Sequence, residues 1–304
     1  MSKSVSVARR IGASLAVLAL GTALSMPAVA RKNHAVEVLS QNGAAIGFIT
    51  SALAPAGDYE ALRELPLDWV FIDMEHSPFD PMSVRAIIAK FQRPDGSFPV
   101  TPIFRIPANC SEAQFNQWMF KQMLDGGAFG IIVPHCDNRV DVENAAAAMR
   151  YPPFKDDAAP LPRGVRGAGG APASWGLSFG DYAKVADLWP LDPAGELLFV
   201  PQIESREAIA KVMTAANLKT AGALFLGPAD LHADNGYAGQ SGKPDVEEQI
   251  QAALRLAQRS GIALGITTTA ADAQLRLNQG FRFITIGASS PAALADILRG
   301  LQRP

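Results

Sequence analysis

Eight short, nearly continuous apolar runs recur along the chain, at 45–49, 68–72, 102–106, 129–133, 197–203, 222–226, 262–266 and 283–286. Runs rich in Val, Ile, Leu and Phe, without polar alternation, are what strands buried on both faces look like. Between most of them the apolar positions switch to the three-and-four spacing of an amphipathic helix, at 81–91, 112–124, 140–149, 206–216, 246–258 and 270–277. Alternating strand and helix predicts parallel strands joined by right-handed crossovers. Eight such units are enough to close a ring, so the expected fold is α/β, a (β/α)8 TIM barrel. A segment at 33–41 has one or two helical turns and is expected to plug the barrel floor, and 291–301 reads as the last helix, with Pro291 near its start.

Several runs end in residues capable of chemistry: Asp73, Glu75 and His76 after the second, Arg105 after the third, Glu204 after the fifth and Asp230 after the sixth. In a β/α barrel these ends share one mouth, where active sites are built. Glu204 and Asp230 would converge from neighbouring strands as a hard oxygen site. Two protein carboxylates plus water and substrate suit Mg²⁺ or Mn²⁺ better than Ca²⁺ or zinc, with Co²⁺ also open. Taken singly, each acid is equally at home as a helix cap or first-turn charge. His76 follows two acids, Asp73 and Glu75, directly after a strand; with Asp73 as partner it would serve as a general acid or base near neutrality. Arg105, set between apolar residues, needs a carboxylate or a substrate oxyanion. Gln202 lies two residues before Glu204 and would face the same interior.

None of the nine lysines ends a predicted strand, which argues against a Schiff-base mechanism. Gly176-Leu177-Ser178-Phe179-Gly180 matches the nucleophile-elbow pattern, but the residues before it are loop-like, so the match reads as coincidence. The long, Pro- and Gly-rich stretch 151–196 reads either as a flexible loop or as a lid that turns Arg166 toward an anionic substrate.

Lys3, Arg9 and Arg10, an apolar stretch at 11–24 and Ala28-Val29-Ala30 together have the pattern of a secretory signal peptide, residues 1–30, ahead of a single barrel domain at 31–304. The protein is thus expected to be exported to the periplasm, or to stay in the cytoplasm if the start codon is misplaced. Cleavage removes those three positive charges and no acids, taking the formal net charge from −2 to −5. Nothing basic enough for nucleic acid remains, and no membrane span follows the signal. Cys110 and Cys136 are expected as two free, part-buried thiols, although export would permit a disulfide.

Taken together, Asp68-Trp69-Val70-Phe71-Ile72-Asp73-Met74-Glu75-His76, Pro102-Ile103-Phe104-Arg105-Ile106-Pro107, Ala128-Phe129-Gly130-Ile131-Ile132-Val133-Pro134, Tyr151-Pro152-Pro153 with Gly164-Val165-Arg166-Gly167, Gln202-Ile203-Glu204-Ser205 and Gly227-Pro228-Ala229-Asp230-Leu231 resemble the HpcH/HpaI family of class II pyruvate aldolases. The resemblance implies a phosphoenolpyruvate/pyruvate-type barrel, assembled as a homo-oligomer, usually a hexamer. It implies a divalent metal on Glu204 and Asp230, proton handling by His76 with Asp73, and catalysis assisted by Arg105. Substrate contacts would come from Gln202, Ala229, Arg105 and Arg166. The reaction implied is reversible cleavage of a 4-hydroxy-2-oxo acid to pyruvate and an aldehyde. An acyl-CoA lyase of the citrate-lyase β type and an exported keto-acid-binding protein without catalysis stand as alternatives. One departure is local: the family commonly has Leu-Ser-x-Ser-Leu-Gly after the last acid, whereas Leu231-His232-Ala233-Asp234-Asn235-Gly236 stands here. His232 and Asp234 are therefore expected either to shape the aldehyde side or to add metal ligation.

Overall fold

The computed structural model describes residues 31–155, 161–213 and 218–303, so the expected signal segment lies outside the described residues. Strands β1 (Ala45–Ser51), β2 (Trp69–Asp73), β3 (Thr101–Arg105) and β4 (Gly130–Val133) pair in sequence order. A two-residue β5 (Leu188–Trp189) is annexed to β6 (Leu197–Ile203), which is followed by β7 (Ala223–Leu226), β8 (Ala263–Thr268) and β9 (Phe283–Ile286). All pairings are parallel, and β1 on β9 and β4 on β6 close an eight-stranded ring that leaves β5 outside. The apolar runs formed strands because helices cover their outer faces while side chains fill the inside, leaving no strand a wet face.

Period-two geometry sorts each strand. Trp69 and Phe71 of β2, Ile103 of β3, Leu198 and Val200 of β6 and Phe225 of β7 form one interior cluster. Val70, Ile72, Phe104 and Phe199 belong instead to the layer between strands and helices. Continuing the inward parity by one step places Asp73, Arg105 and Gln202 at the top of the interior. The floor is closed by α1 (His34–Ser40), whose Ala35, Val36 and Leu39 join the interior cluster, as the sequence pattern anticipated. Asn33 holds it there, donating through Nδ2 to the carbonyls of Phe129 and Glu196 while its Oδ1 caps the helix at Val36 N.

Most helices stand where the spacing puts them: α3 (Pro81–Phe91), α5 (Arg139–Met149), α9 (Pro244–Ser260) and α11 (Pro291–Gly300). Helix α2 (Ala56–Arg63) was not anticipated, because it is short and opens on Pro55-Ala56-Gly57. Helix α4 (Gln117–Gly126) starts later than the expected 112; a separate 3-10 turn at Cys110–Glu112, boxed by Asn109 and Glu112, takes up the intervening chain.

Two expectations are corrected. Cys110 and Cys136 are not free thiols but a disulfide, with Cα atoms 4.9 Å apart. The 3-10 turn after β3 donates Cys110 N–H to the Pro134 carbonyl at 2.9 Å, which draws the two loops together. Arg166, in turn, is not a lid residue. Its side chain is fully buried, pairs with Asp125 at 2.7 Å, donates to Tyr182 at 3.0 Å, and lies 4.4 Å over the Tyr151 ring. Asp125 ends α4, at the floor side of the barrel, and the same connection stacks Trp175 on Phe129, just before β4. The long connection therefore wraps the floor end, and Arg166 is part of its core.

Candidate active site

At the mouth, the β2–β3 register sets Asp73 beside Arg105. Arg105 Nε and Nη2 donate to the two Asp73 oxygens, both at 2.8 Å, while Nη1 lies 2.7 Å from Glu75 Oε2 and 3.4 Å from Gln202 Oε1. Arg105 is 5% exposed, so this fork fixes its guanidinium in one plane. Burial pushes the Asp73 carboxyl up, but the Arg105 hydrogen bonds and charge outweigh it and leave the group below its usual range. For Glu75 the balance reverses: burial outweighs Arg105, His76 and His135, and its carboxyl lies above the usual value.

The expected Asp73–His76 pair is corrected by this geometry. Asp73 spends both oxygens on Arg105 and turns Oδ1 to the Glu75 amide at 3.0 Å. The turn then carries His76 outward, where its side chain is 66% exposed and Nε2 comes within 3.8 Å of Glu75 Oε2. His76 still lines the mouth cavity with Arg105, Gln202, Ala229 and Asp230. That cavity measures about 480 Å³ and is walled on its apolar side by Ile49, Phe71 and Phe225.

Glu204 follows β6 and is 2% exposed. Its Oε2 accepts from Gln202 Nε2 at 2.5 Å, and its Oε1 from the His135 backbone N–H at 2.7 Å. Burial raises its carboxyl to about 7, against the lowering hydrogen bond and charge of His135; the charges of Asp230 and Glu75 add to the rise. Gly227 makes room for this arrangement, since a Cβ there would collide with Glu204 Oε2 and Gln202 Nε2. Asp230 sits in the first turn of α8 (Pro228–Asp234) and lines the cavity. His135 was missed in the sequence, where it was passed over for a histidine flanked by acids. Its φ of 48° is a left-handed setting that a non-glycine residue holds at a cost of about 1–3 kcal/mol. Position directly after an apolar run was the one signal available.

Among the described residues placed at the mouth, four carboxylates thus face the guanidinium of Arg105, which is spent on Asp73 and Glu75. Among the described residues, Glu204 has the part-exposed His135 ring near it, Nδ1 at 3.5 Å, and the charge of Arg105, whose shortest contacts go to Asp73 and Glu75. A buried carboxylate short of positive charge beside a second carboxylate fits a hard divalent cation. Among the described residues no group of three or more His, Cys, Asp or Glu side chains is placed to hold an ion unaided. Two carboxylates leave the other positions to water and substrate oxygens, which is how Mg²⁺ binds.

The family model for HpcH/HpaI aldolase/citrate lyase matches residues 57–294, a span that contains Asp73, Glu75, His76, Arg105, His135, Gln202, Glu204 and Asp230. The chain belongs to the HpcH/HpaI family. Curated relatives include a hydroxypyruvate/pyruvate aldolase of Agrobacterium fabrum, 34% identical over 232 residues and covering 76% of this chain and 75% of that one. A 4-hydroxy-2-oxo-heptane-1,7-dioate aldolase of Salmonella dublin is 31% identical over 241 residues, covering 78% and 82%. Among solved structures, an HpcH/HpaI aldolase/citrate lyase family protein of Burkholderia cenocepacia superposes with a TM-score of 0.71 at 28% identity, covering 88% of this chain and 95% of that one.

Within this HpcH/HpaI barrel the two residues that depart from the family pattern have structural partners. His232 Nδ1 lies 2.6 Å from the Pro228 carbonyl and Nε2 accepts from Lys243 N at 3.3 Å. Asp234 accepts from Arg206 N and Nε, both at 2.9 Å, and its carboxyl is lowered first by that backbone hydrogen bond. His232 lines the cavity wall with both ring nitrogens in hydrogen-bond contact with backbone groups, and Asp234 is held on Arg206 through Oδ2. Ser178 caps helix α6 (Phe179–Val185) at Asp181 N, in keeping with the reading of its motif as coincidence.

Proposed function

We propose that this chain is a divalent-metal-dependent aldolase that reversibly cleaves a 4-hydroxy-2-oxo acid to pyruvate and an aldehyde. Support comes above all from Glu204: a buried carboxylate, its oxygens fixed by Gln202 and His135, beside Asp230, with the part-exposed His135 ring and an Arg105 already paired to Asp73 and Glu75 as the nearby cationic groups. Glu204 and Asp230 would hold Mg²⁺ or Mn²⁺, with Co²⁺ as a further candidate, and the ion would act as a Lewis acid toward the 2-oxo group. Arg105, locked in plane by Asp73 and Glu75, presents fixed positive charge to the oxygen on which negative charge collects as the C3–C4 bond breaks. Gln202 and the exposed Ala229 line the pyruvate side. His76, at the wet rim, takes the C4 hydroxyl proton and returns it to solvent; its exposure suits proton exchange better than a buried dyad would.

Export behind residues 1–30 and assembly into a homo-oligomer, a hexamer as the resemblance implies, belong to the same reading. The test is pyruvate release from a panel of 4-hydroxy-2-oxo acids. EDTA should abolish it, Mn²⁺ or Mg²⁺ should restore it, and borohydride with pyruvate should trap no adduct. A trapped lysine adduct, or turnover indifferent to EDTA, would overturn the proposal.

A further inference from the structure

The loops after β3 and β4 are joined twice, by the Cys110–Cys136 disulfide and by Cys110 N–H on the Pro134 carbonyl. The β4 loop is in turn joined to β6 and the residue after it: Cys136 N–H donates to the Gln202 carbonyl at 3.1 Å, and His135 N–H to Glu204 Oε1 at 2.7 Å. His135 reaches that oxygen with a φ of 48°, a setting that a residue carrying a Cβ leaves when nothing holds it. Its neighbour Cys136 is fully buried and covalently anchored. We propose that the Cys110–Cys136 crosslink is a positioning device for Glu204, holding the His135 peptide left-handed and so aiming the Glu204 carboxylate at the divalent ion. This rests on the metal-dependent reading above.

Two features carry the inference. The crosslink ends one residue from the strained peptide, so the restraint is applied where the backbone would otherwise relax. Among the described residues Glu204 has two donors from other residues, Gln202 on one oxygen and His135 on the other. With the bond opened, His135 returns to negative φ, its N–H swings off Oε1, and the carboxylate turns about the single contact to Gln202. The barrel ring is closed by strand pairing and does not need the crosslink, so the loss falls on ion affinity.

The experiment is an electron-paramagnetic titration with Mn²⁺, alongside a melting curve, on four proteins, the full chain with its disulfide intact and three that lack the bond. These are the full chain, the Cys110→Ala/Cys136→Ala double variant, that variant with His135→Gly added, and Cys110→Ala alone, which serves should the double variant misfold. The opened proteins are expected to bind Mn²⁺ about tenfold more weakly than the full chain. Glycine at 135 is expected to recover most of the loss, because it takes left-handed φ without penalty and keeps the amide. Equal affinity with only a lower melting temperature overturns the proposal and leaves the metal reading standing. Weakened binding without recovery by glycine also overturns it, since the loss then lies outside the His135 peptide. A full chain that binds no Mn²⁺ overturns the metal reading, and the positioning role with it.

Discussion

Burial raises the Glu204 carboxyl to about 7, from the 4.5 it has in an open chain. The folded protein therefore binds a proton there that the unfolded one has lost, and its stability falls as pH rises from 4.5 through 7. The gap corresponds to a penalty on the order of 3 kcal/mol above pH 7, released on acidification. The metal-free protein is thus predicted to melt at a higher temperature at pH 5.5 than at pH 8, and Mn²⁺ is predicted to restore most of the difference at pH 8. Glu204→Gln should flatten the slope. Scanning calorimetry on EDTA-treated protein checks this, and a melting temperature that climbs with pH over this window would count against it. Asp73 has the opposite sign, its stabilisation being lost only as pH falls through its lowered pKa, so it does not mask the effect. At this scale Asp73, Arg105, Gln202 and Glu204 were legible, because strand ends and period-two parity depend on local sequence alone. Their pairing was not: Arg105 takes Asp73 from His76 through the register of β2 against β3. His135 was equally hidden, since nothing in Val133-Pro134-His135-Cys136 announces a left-handed φ.

Among the elements, α1 shows how a short helix is made indispensable to a barrel. Its seven residues have little helical stability of their own, and Asn33 supplies what they lack by capping Val36 and donating to the carbonyls of Phe129 and Glu196 from a fully buried position. Asn33→Ala removes a donor from the Glu196 carbonyl and leaves the helix uncapped, while the Phe129 carbonyl keeps the Leu198 N–H, and is predicted to cost about 2–4 kcal/mol in urea unfolding. The mouth lies at the other end of the strands, so pyruvate release per folded molecule should change by less than about twofold. A large fall in kcat with unchanged stability would show that the floor is coupled to the site. The eight strands and the long helices were readable because buried parallel strands suppress polar alternation and helices longer than two turns repeat their pattern. Helix α2 was missed because it is short and opens on Pro55-Ala56-Gly57, whereas the helix start at Asp230 that α8 supplies was anticipated. The path of 151–196 was unreadable for another reason: Trp175 stacking on Phe129 and Arg166 pairing with Asp125 are contacts between distant parts of the chain, and they send to the floor a segment whose glycines and arginines suggested a lid.

For the whole molecule, the outer surface beside the mouth is less finished than the barrel inside it. Near the amino ends of α3 and α4, Met82 and Phe115 are 87% and 78% exposed, and Trp118 packs its partly exposed ring edge-on against Phe79 at 5.8 Å. Apolar side chains gathered at one rim leave water in contact with surface worth about 25 cal/mol per Å² if it were covered, and a second subunit is the cover that a homo-oligomeric reading supplies. Because these helices follow β2 and β3, an interface here would also brace the loops that carry Asp73, Glu75, His76 and Arg105. Light scattering on the eluted full chain is predicted to give a mass several times that of one subunit, and Trp118→Glu to lower it by placing a charge in the covered patch. If assembly braces those loops, the variant should lose kcat in pyruvate release while its subunits stay folded by circular dichroism. A full chain that elutes as a single subunit, or a Trp118→Glu protein of unchanged mass, would remove this patch from the interface and leave the mouth to be judged as a complete single-chain site.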